Sequence, residues 1–254
     1  MEVVVVEDQE ALGAAAAALV VHALEADPAL VLGVATGSSP VTTYRGLAVA
    51  RLSGLDFSAV RCVALDEYLG IEESDPASYH SFLRREVAVP LGIPVEHLLV
   101  HDGAAPDPVA ACADFEAAVR RLGGVEVQLL GIGRNGHLGF NEPGSAFESR
   151  TRVARLSETT RADNARFFPR PEDVPTQCLT QGLGTILEAR RPVLVASGSH
   201  KAAAVAAALE GPVTEACPAS VLQRHPRATV IVDRAAAAGL RRNDETTSHP
   251  DWLH

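Results

Sequence analysis

The chain has 254 residues, 47% hydrophobic but only 4% aromatic, enough for one large domain or two small ones around a core of Val, Leu and Ala. Its formal net charge of -10 supplies no global positive field for a polyanion, so nucleic acid is not an expected partner. The cysteines Cys62, Cys112, Cys178 and Cys217 form no CxxC pair or metal-ligand cluster, which argues for free thiols in a reducing cytoplasm and against a metal site.

Glu2, Glu7 and Asp8 stand where a signal peptide would be basic, so no export signal is expected. Residues 3–6 form the first predicted strand, and an Ala-rich helix follows to about Ala26. Its apolar stretch, 11–21, is too short to span a bilayer, and no membrane partner is expected. Further strands are predicted at 31–35, 61–65, 125–130, 192–196 and 229–232, and helices at 40–51, 78–87, 107–122, 158–168, 200–209 and 234–240. This alternation predicts an α/β fold: an open, mostly parallel, Rossmann-like sheet with helices on both faces. No linker or repeat divides the chain, so one domain over 1–242 is expected. Residues 158–181 mix polar helix with Pro169, Pro171 and Pro175 and read as a lid-like excursion over the sheet, not a sheet element; 243–254 reads as a polar tail.

Candidate chemistry falls at strand ends, where open α/β sheets bind ligands. Thr36, Gly37, Ser38 and Ser39 follow one strand and open a helix, with Pro40 expected at its first position. Such a helix start is either an anion site or a simple Ser cap. Asp66 and Glu67 end another strand, and alternation sends only one of them into a site. The run from Gly131 to Pro143, GIGRNGHLGFNEP, places His137 and Glu142 in a glycine-rich turn, either an acid/base pair or a structural turn. Lys201 begins another helix after Gly198 and is a second anion candidate; Arg166 either reaches inward from the excursion or pairs with Asp163 on its own helix.

Taken together, LGVATGSSPVTTYRGL, ALDEYLG, GIGRNGHLGFNEPGSAFESRTR, TRADNARFF, GSHKAAAVAAALEG and ASVLQRHP resemble the glucosamine-6-phosphate deaminase family over nearly the whole chain. The related 6-phosphogluconolactonases resemble GPDGHTASLFP at the histidine turn, unlike this chain. The resemblance implies conversion of the amino-sugar phosphate D-glucosamine 6-phosphate and water to D-fructose 6-phosphate and ammonia, with no cofactor and no metal. It implies that His137 handles the ring-hydroxyl proton with Glu142 behind it, and that Asp66 carries a proton between C2 and C1 of the open chain. Thr36, Gly37, Ser38, Ser39, Arg166 and Lys201 match the phosphate cradle, with Glu67 beside them at the substrate. Asn135 replaces the aspartate of some members, and an amide orients an imidazole without supplying charge. Hexameric members activated by N-acetylglucosamine 6-phosphate carry a lysine and a serine where Ala154 and Ala146 stand here, although Arg152 is retained. The oligomer, monomer or homo-oligomer, is left open. So are three alternatives: a galactosamine 6-phosphate substrate, a lactonase-like hydrolase, and a non-catalytic sugar-phosphate-sensing domain.

Overall fold

The computed structural model describes residues 1–241; the polar tail expected at 243–254 lies outside the described residues. Strands β1 (Glu2–Val6), β2 (Val31–Val34), β3 (Arg61–Ala64), β5 (Leu98–Leu99), β6 (Val127–Leu130), β9 (Arg191–Ala196) and β10 (Thr229–Asp233) form one sheet in the order β1-β10-β9-β6-β2-β3-β5. Every pairing in it is parallel, so all carboxyl ends meet at one edge. The sheet is buried on both sides, which is why its strands read as continuous Val/Leu runs.

Successive side chains divide between the two faces. Leu129, Val193, Val195 and Ile231 join one core with helices α1 (Gln9–Ala26), α2 (Ser38–Leu52) and α3 (Tyr79–Leu83). Leu130, Leu194, Ala196, Val230 and Val232 join the opposite core with α7 (Leu183–Leu187) and α8 (Ala202–Glu210). Helix α5 (Pro108–Arg121) packs on Val31 and Val63 on that same side. Helices α1 and α2 touch almost backbone to backbone: a Cβ on Gly13 would come within 2.6 Å of the Thr42 Cβ, so glycine is required there.

A second, antiparallel sheet joins β4 (Asp66–Tyr68), β8 (Gln177–Thr180) and β7 (Arg152–Arg155), with β8 in the middle. This corrects the reading of 158–181 as free of sheet structure, since its last residues are the central strand. The rest of that segment holds α6 (Glu158–Asn164) and two 3-10 turns, Ala165–Phe167 and Pro171–Asp173. The helix expected at 78–87 is α3 continued by a π-helical segment, Arg84–Ala88, and by α4 (Val89–Leu91), ending on left-handed Gly92 at φ 67°. The helix expected at 234–240 shrinks to a 3-10 turn, Ala236–Gly239. Helix α2 starts at Ser38, so Pro40 is its third residue and not its first, and no side chain caps it. All four cysteines are free. Among the described residues no helix is long and apolar enough to cross a membrane.

Candidate active site

The carboxyl ends of β2, β3, β6 and β9 open into one cleft of about 380 Å³. It is lined by Thr36, Gly37, Ser38 and Ser39, by Asp66, by His137, and by Arg166 and Lys201. Five separate stretches of the sequence therefore converge on one cleft. Glu67, Asn135 and Glu142 stand behind its wall.

At the cationic end, two helical starts use glycine in place of a capping side chain. Gly37 at φ 101° precedes α2, and Gly198 at φ 93° precedes the turn Ser199–Lys201 that leads into α8. Neither start has a side-chain cap, so first-turn amides are left for another acceptor. The buried Tyr44 hydroxyl pins the first loop, accepting from the Ala35 N–H at 3.0 Å and donating to its carbonyl at 2.7 Å. Asp233 pins the second, accepting from Ser197 Oγ at 2.6 Å and from the Gly198 N–H. Lys201 Nζ donates to the Ile132 carbonyl at 2.7 Å, which turns the ammonium toward the loop after β6. Burial holds its pKa below the usual lysine value. The Arg166 guanidinium sits 4.7 Å over the Phe167 ring. Its suggested pairing with Asp163 does not form, because Asp163 bonds Arg134 at 3.0 Å.

On the acidic side, the break between β3 and β4 delivers Asp66. Leu65 accepts from the Gln181 N–H at 2.8 Å, and the Gln181 side chain donates to the Ala64 carbonyl at 2.8 Å. Asp66 is 5% exposed. Burial first, and then the neighbouring Glu67, push its carboxyl up to about 8. Gly139 lies against it: a Cβ there would sit 3.2 Å from Asp66 Oδ2, and φ 55° already favours glycine. Glu67 points the other way, and its expected role at the substrate is corrected here. Its carboxylate accepts from the N–H groups of Tyr68, Tyr79 and His80 and so holds the start of α3. Burial still raises it to about 7 against those three bonds.

The histidine turn closes on itself through Gly133 N–H to the His137 carbonyl and Gly136 N–H to the Gly133 carbonyl, each 3.0 Å. His137 Nδ1 lies 3.6 Å from Glu142 Oε2. Asn135 does not orient the imidazole; its Nδ2 donates to Glu142 Oε2 at 2.7 Å, so the amide orients the glutamate. Glu142 Oε1 accepts from the Ser157 N–H and the Thr160 hydroxyl. Burial pushes Glu142 up, but the His137 ring and the bonds from Thr160 and Asn135 outweigh it and hold the carboxyl down at about 2. Glu142 thus presents a carboxylate to the Nδ1 edge of a residue type suited to proton transfer.

Sequence reasoning missed the residues that fasten these parts together. Buried Asn141 donates to the carbonyls of Leu138 and Gln181, tying the histidine turn to β8, and accepts from Arg152 Nη1 at 2.8 Å. Arg152 also donates to Ser145 Oγ at 3.0 Å, so its guanidinium is engaged inside the fold. A polar residue inside NEP was the available signal for Asn141. Ser157 and Thr160 carried none, and Asp163 was read only as a partner for Arg166, because Glu142 and Arg134 lie far along the chain. Among the described residues no three His, Cys, Asp or Glu side chains converge as metal ligands.

The chain is similar to known proteins in sequence and in fold. The model of the family described as glucosamine-6-phosphate isomerases/6-phosphogluconolactonase matches residues 7–231. The chain is 52% identical to glucosamine-6-phosphate deaminase of Streptomyces coelicolor over 99% of each chain. It is also 52% identical to that of Cutibacterium acnes, over 94% of this chain and 92% of the relative. A solved monomeric glucosamine-6-phosphate deaminase superposes with a TM-score of 0.91 at 42% identity, covering 94% of this chain and all of that one. A 6-phosphogluconolactonase from Trypanosoma cruzi superposes at 0.77 with 22% identity over 94% of this chain and 97% of that one, which is a likeness of fold.

Proposed function

The chain belongs to the family of glucosamine-6-phosphate isomerases and 6-phosphogluconolactonases, and from that premise we propose that its cleft converts D-glucosamine 6-phosphate and water to D-fructose 6-phosphate and ammonia. One observation carries the reading: a buried carboxyl, Asp66, and a histidine backed by an ionised glutamate share a wall with two uncapped glycine-started helix ends and the cations Arg166 and Lys201. An acid, a base and an anion cradle are what a sugar phosphate needs to be held and isomerised.

The phosphate is held by the amides and hydroxyls of Thr36 to Ser39 with Arg166 and Lys201. His137 moves the proton between the ring oxygen and the anomeric hydroxyl, opening the pyranose, and Glu142 stabilises the imidazolium. Asp66 takes the proton from C2 of the open-chain aldehyde, leaving an enolamine, and returns a proton to C1. The resulting C2 imine adds water and loses ammonia, so atoms balance without an oxidant. The raised Asp66 pKa makes it a stronger base once the substrate's ammonium enters and favours its ionised form. Asn135 and Glu67 act at one remove, the first on Glu142 and the second on α3. We assign the protein to the cytoplasm, where free thiols persist, and treat 1–242 as one domain with 158–181 as its lid.

The test is a coupled assay on purified protein with no added metal, offering glucosamine 6-phosphate, galactosamine 6-phosphate and 6-phosphogluconolactone in parallel. Equal amounts of ammonia and fructose 6-phosphate are expected from the first. Neither product at about 1 mM substrate, the upper end of ordinary KM values, overturns the reading.

A further inference from the structure

The anion cradle contains an ion pair that the proposed reaction does not use. Arg134 lies in the turn between β6 and His137, and Asp163 lies on α6, yet Arg134 Nη2 meets Asp163 Oδ1 at 3.0 Å. Both line the cleft, and Asp66 and Asp163 are the acids among its lining residues. Asp66 belongs to the chemistry. Asp163 stands instead among cations: Arg166 is on the adjoining turn, and Lys201 is fastened to Ile132, two residues before Arg134.

These charges sense one another. Burial lowers the Lys201 pKa; Asp163 opposes that, while Arg134 and Arg166 add to it. His200, also on the wall, is lowered by burial and by Lys201, Arg134 and Arg166, again with Asp163 opposing. The carboxylate thus offsets repulsion inside a cationic cluster, which is what a bound phosphate would do with twice the charge.

We propose that Arg134 is a further binding residue for the phosphoryl group and that Asp163 is its exchangeable counter-ion, occupying Arg134 until the phosphate takes it over. This rests on the reading of the cleft as a sugar-phosphate site. The exchange is favourable on physical grounds. The Arg134 and Asp163 side chains are 59% and 35% exposed, and an ion pair so open to water is weak. A phosphate on the same guanidinium makes charge-assisted, bidentate bonds and gains from the neighbouring cations and helix-start amides. The release of Asp163 also removes one of the tethers between α6 and the histidine turn, leaving those from Ser157 and Thr160 to Glu142, so binding and the hold on the excursion are coupled through one arginine.

Asp163→Asn, Arg134→Gln, Arg134→Lys and the double variant Asp163→Asn/Arg134→Gln test this, with calorimetry of inorganic phosphate at fixed ionic strength and steady-state kinetics on glucosamine 6-phosphate. Asp163→Asn is expected to tighten phosphate by up to about fivefold, since it removes a competing exposed pair. Arg134→Gln is expected to weaken phosphate on the order of tenfold, with a larger effect on KM than on kcat, and Arg134→Lys recovers part of the loss. In the double variant the tightening given by Asp163→Asn should shrink, because the part of its effect that acts through Arg134 is gone. Unchanged phosphate affinity in Arg134→Gln, or unchanged or weaker affinity in Asp163→Asn, overturns the proposal and leaves the pair as a fastener of α6. Failure of the parent to bind phosphate overturns it too. The expected shifts without ammonia release leave the anion assignment standing and sink the activity. Ammonia release without the shifts does the reverse.

Discussion

Asp66, the base proposed to act at C2, shows how a buried carboxyl weighs on folding at a single residue. A carboxyl raised to about 8 binds its proton in the folded state across a pH range where the unfolded chain has lost it. Its contribution to stability is therefore complete below the unfolded value near pH 4 and is lost as pH rises through about 8. Asp66→Asn removes that dependence. The variant should be more stable than the parent at pH 8 by several kcal/mol, on the order of 1.4 kcal/mol per unit by which the pKa is raised, with the gap closing toward pH 4. Urea unfolding across that range checks it, and parallel stability curves for the two proteins would count against the assignment. Glu67, raised to about 7, leaves a residual slope in both. Asp66 and His137 were legible in the sequence because both sit where a strand run stops, and a parallel sheet puts every such end at one edge. The choice between Asp66 and Glu67 was not legible, since alternation says that they diverge without saying which one enters the cleft.

Helix α6 illustrates what one element can and cannot reveal by itself. It has a single buried residue, Thr160, and is held by polar tethers: Thr160 to Glu142, Asn164 to the Tyr68 hydroxyl at 2.9 Å, and Asp163 to Arg134. An element that buries one residue and is fastened by a few polar contacts opens at low free-energy cost. If 158–181 closes over substrate, fructose 6-phosphate at tenfold its Kd should slow tryptic cleavage in this segment about tenfold. Unchanged cleavage would show that the segment is no lid. The polar, proline-rich composition made the excursion legible, but not β8 at its end. Gln177–Thr180 has no alternating pattern, and its partners, β4 and β7, are three- and four-residue strands remote in sequence. Pairing of this kind is decided by tertiary contact.

At the scale of the whole molecule, a chain of net charge -10 presents a cleft whose lining includes Arg85, Arg134, Arg166 and Lys201. Local cations within an acidic protein concentrate field lines at the site, so a small anion is drawn in while polyanions are repelled. The fold class followed from Val/Leu runs alternating with helices, and all six predicted strands are present. The strand order did not follow, because β1 lies at the edge and β6 beside β2 through contacts that no local window contains. The proposed reaction depends most on Asp66 as the base that acts at C2. Glucosamine 6-phosphate carrying deuterium at C2 is given to the parent and to Asp66→Asn, and the label is followed by NMR while phosphate binding is confirmed in both. The parent should move deuterium from C2 to C1 of the product or to water, whereas Asp66→Asn should retain it at C2; loss of the label at the parent's rate in Asp66→Asn would place the base elsewhere.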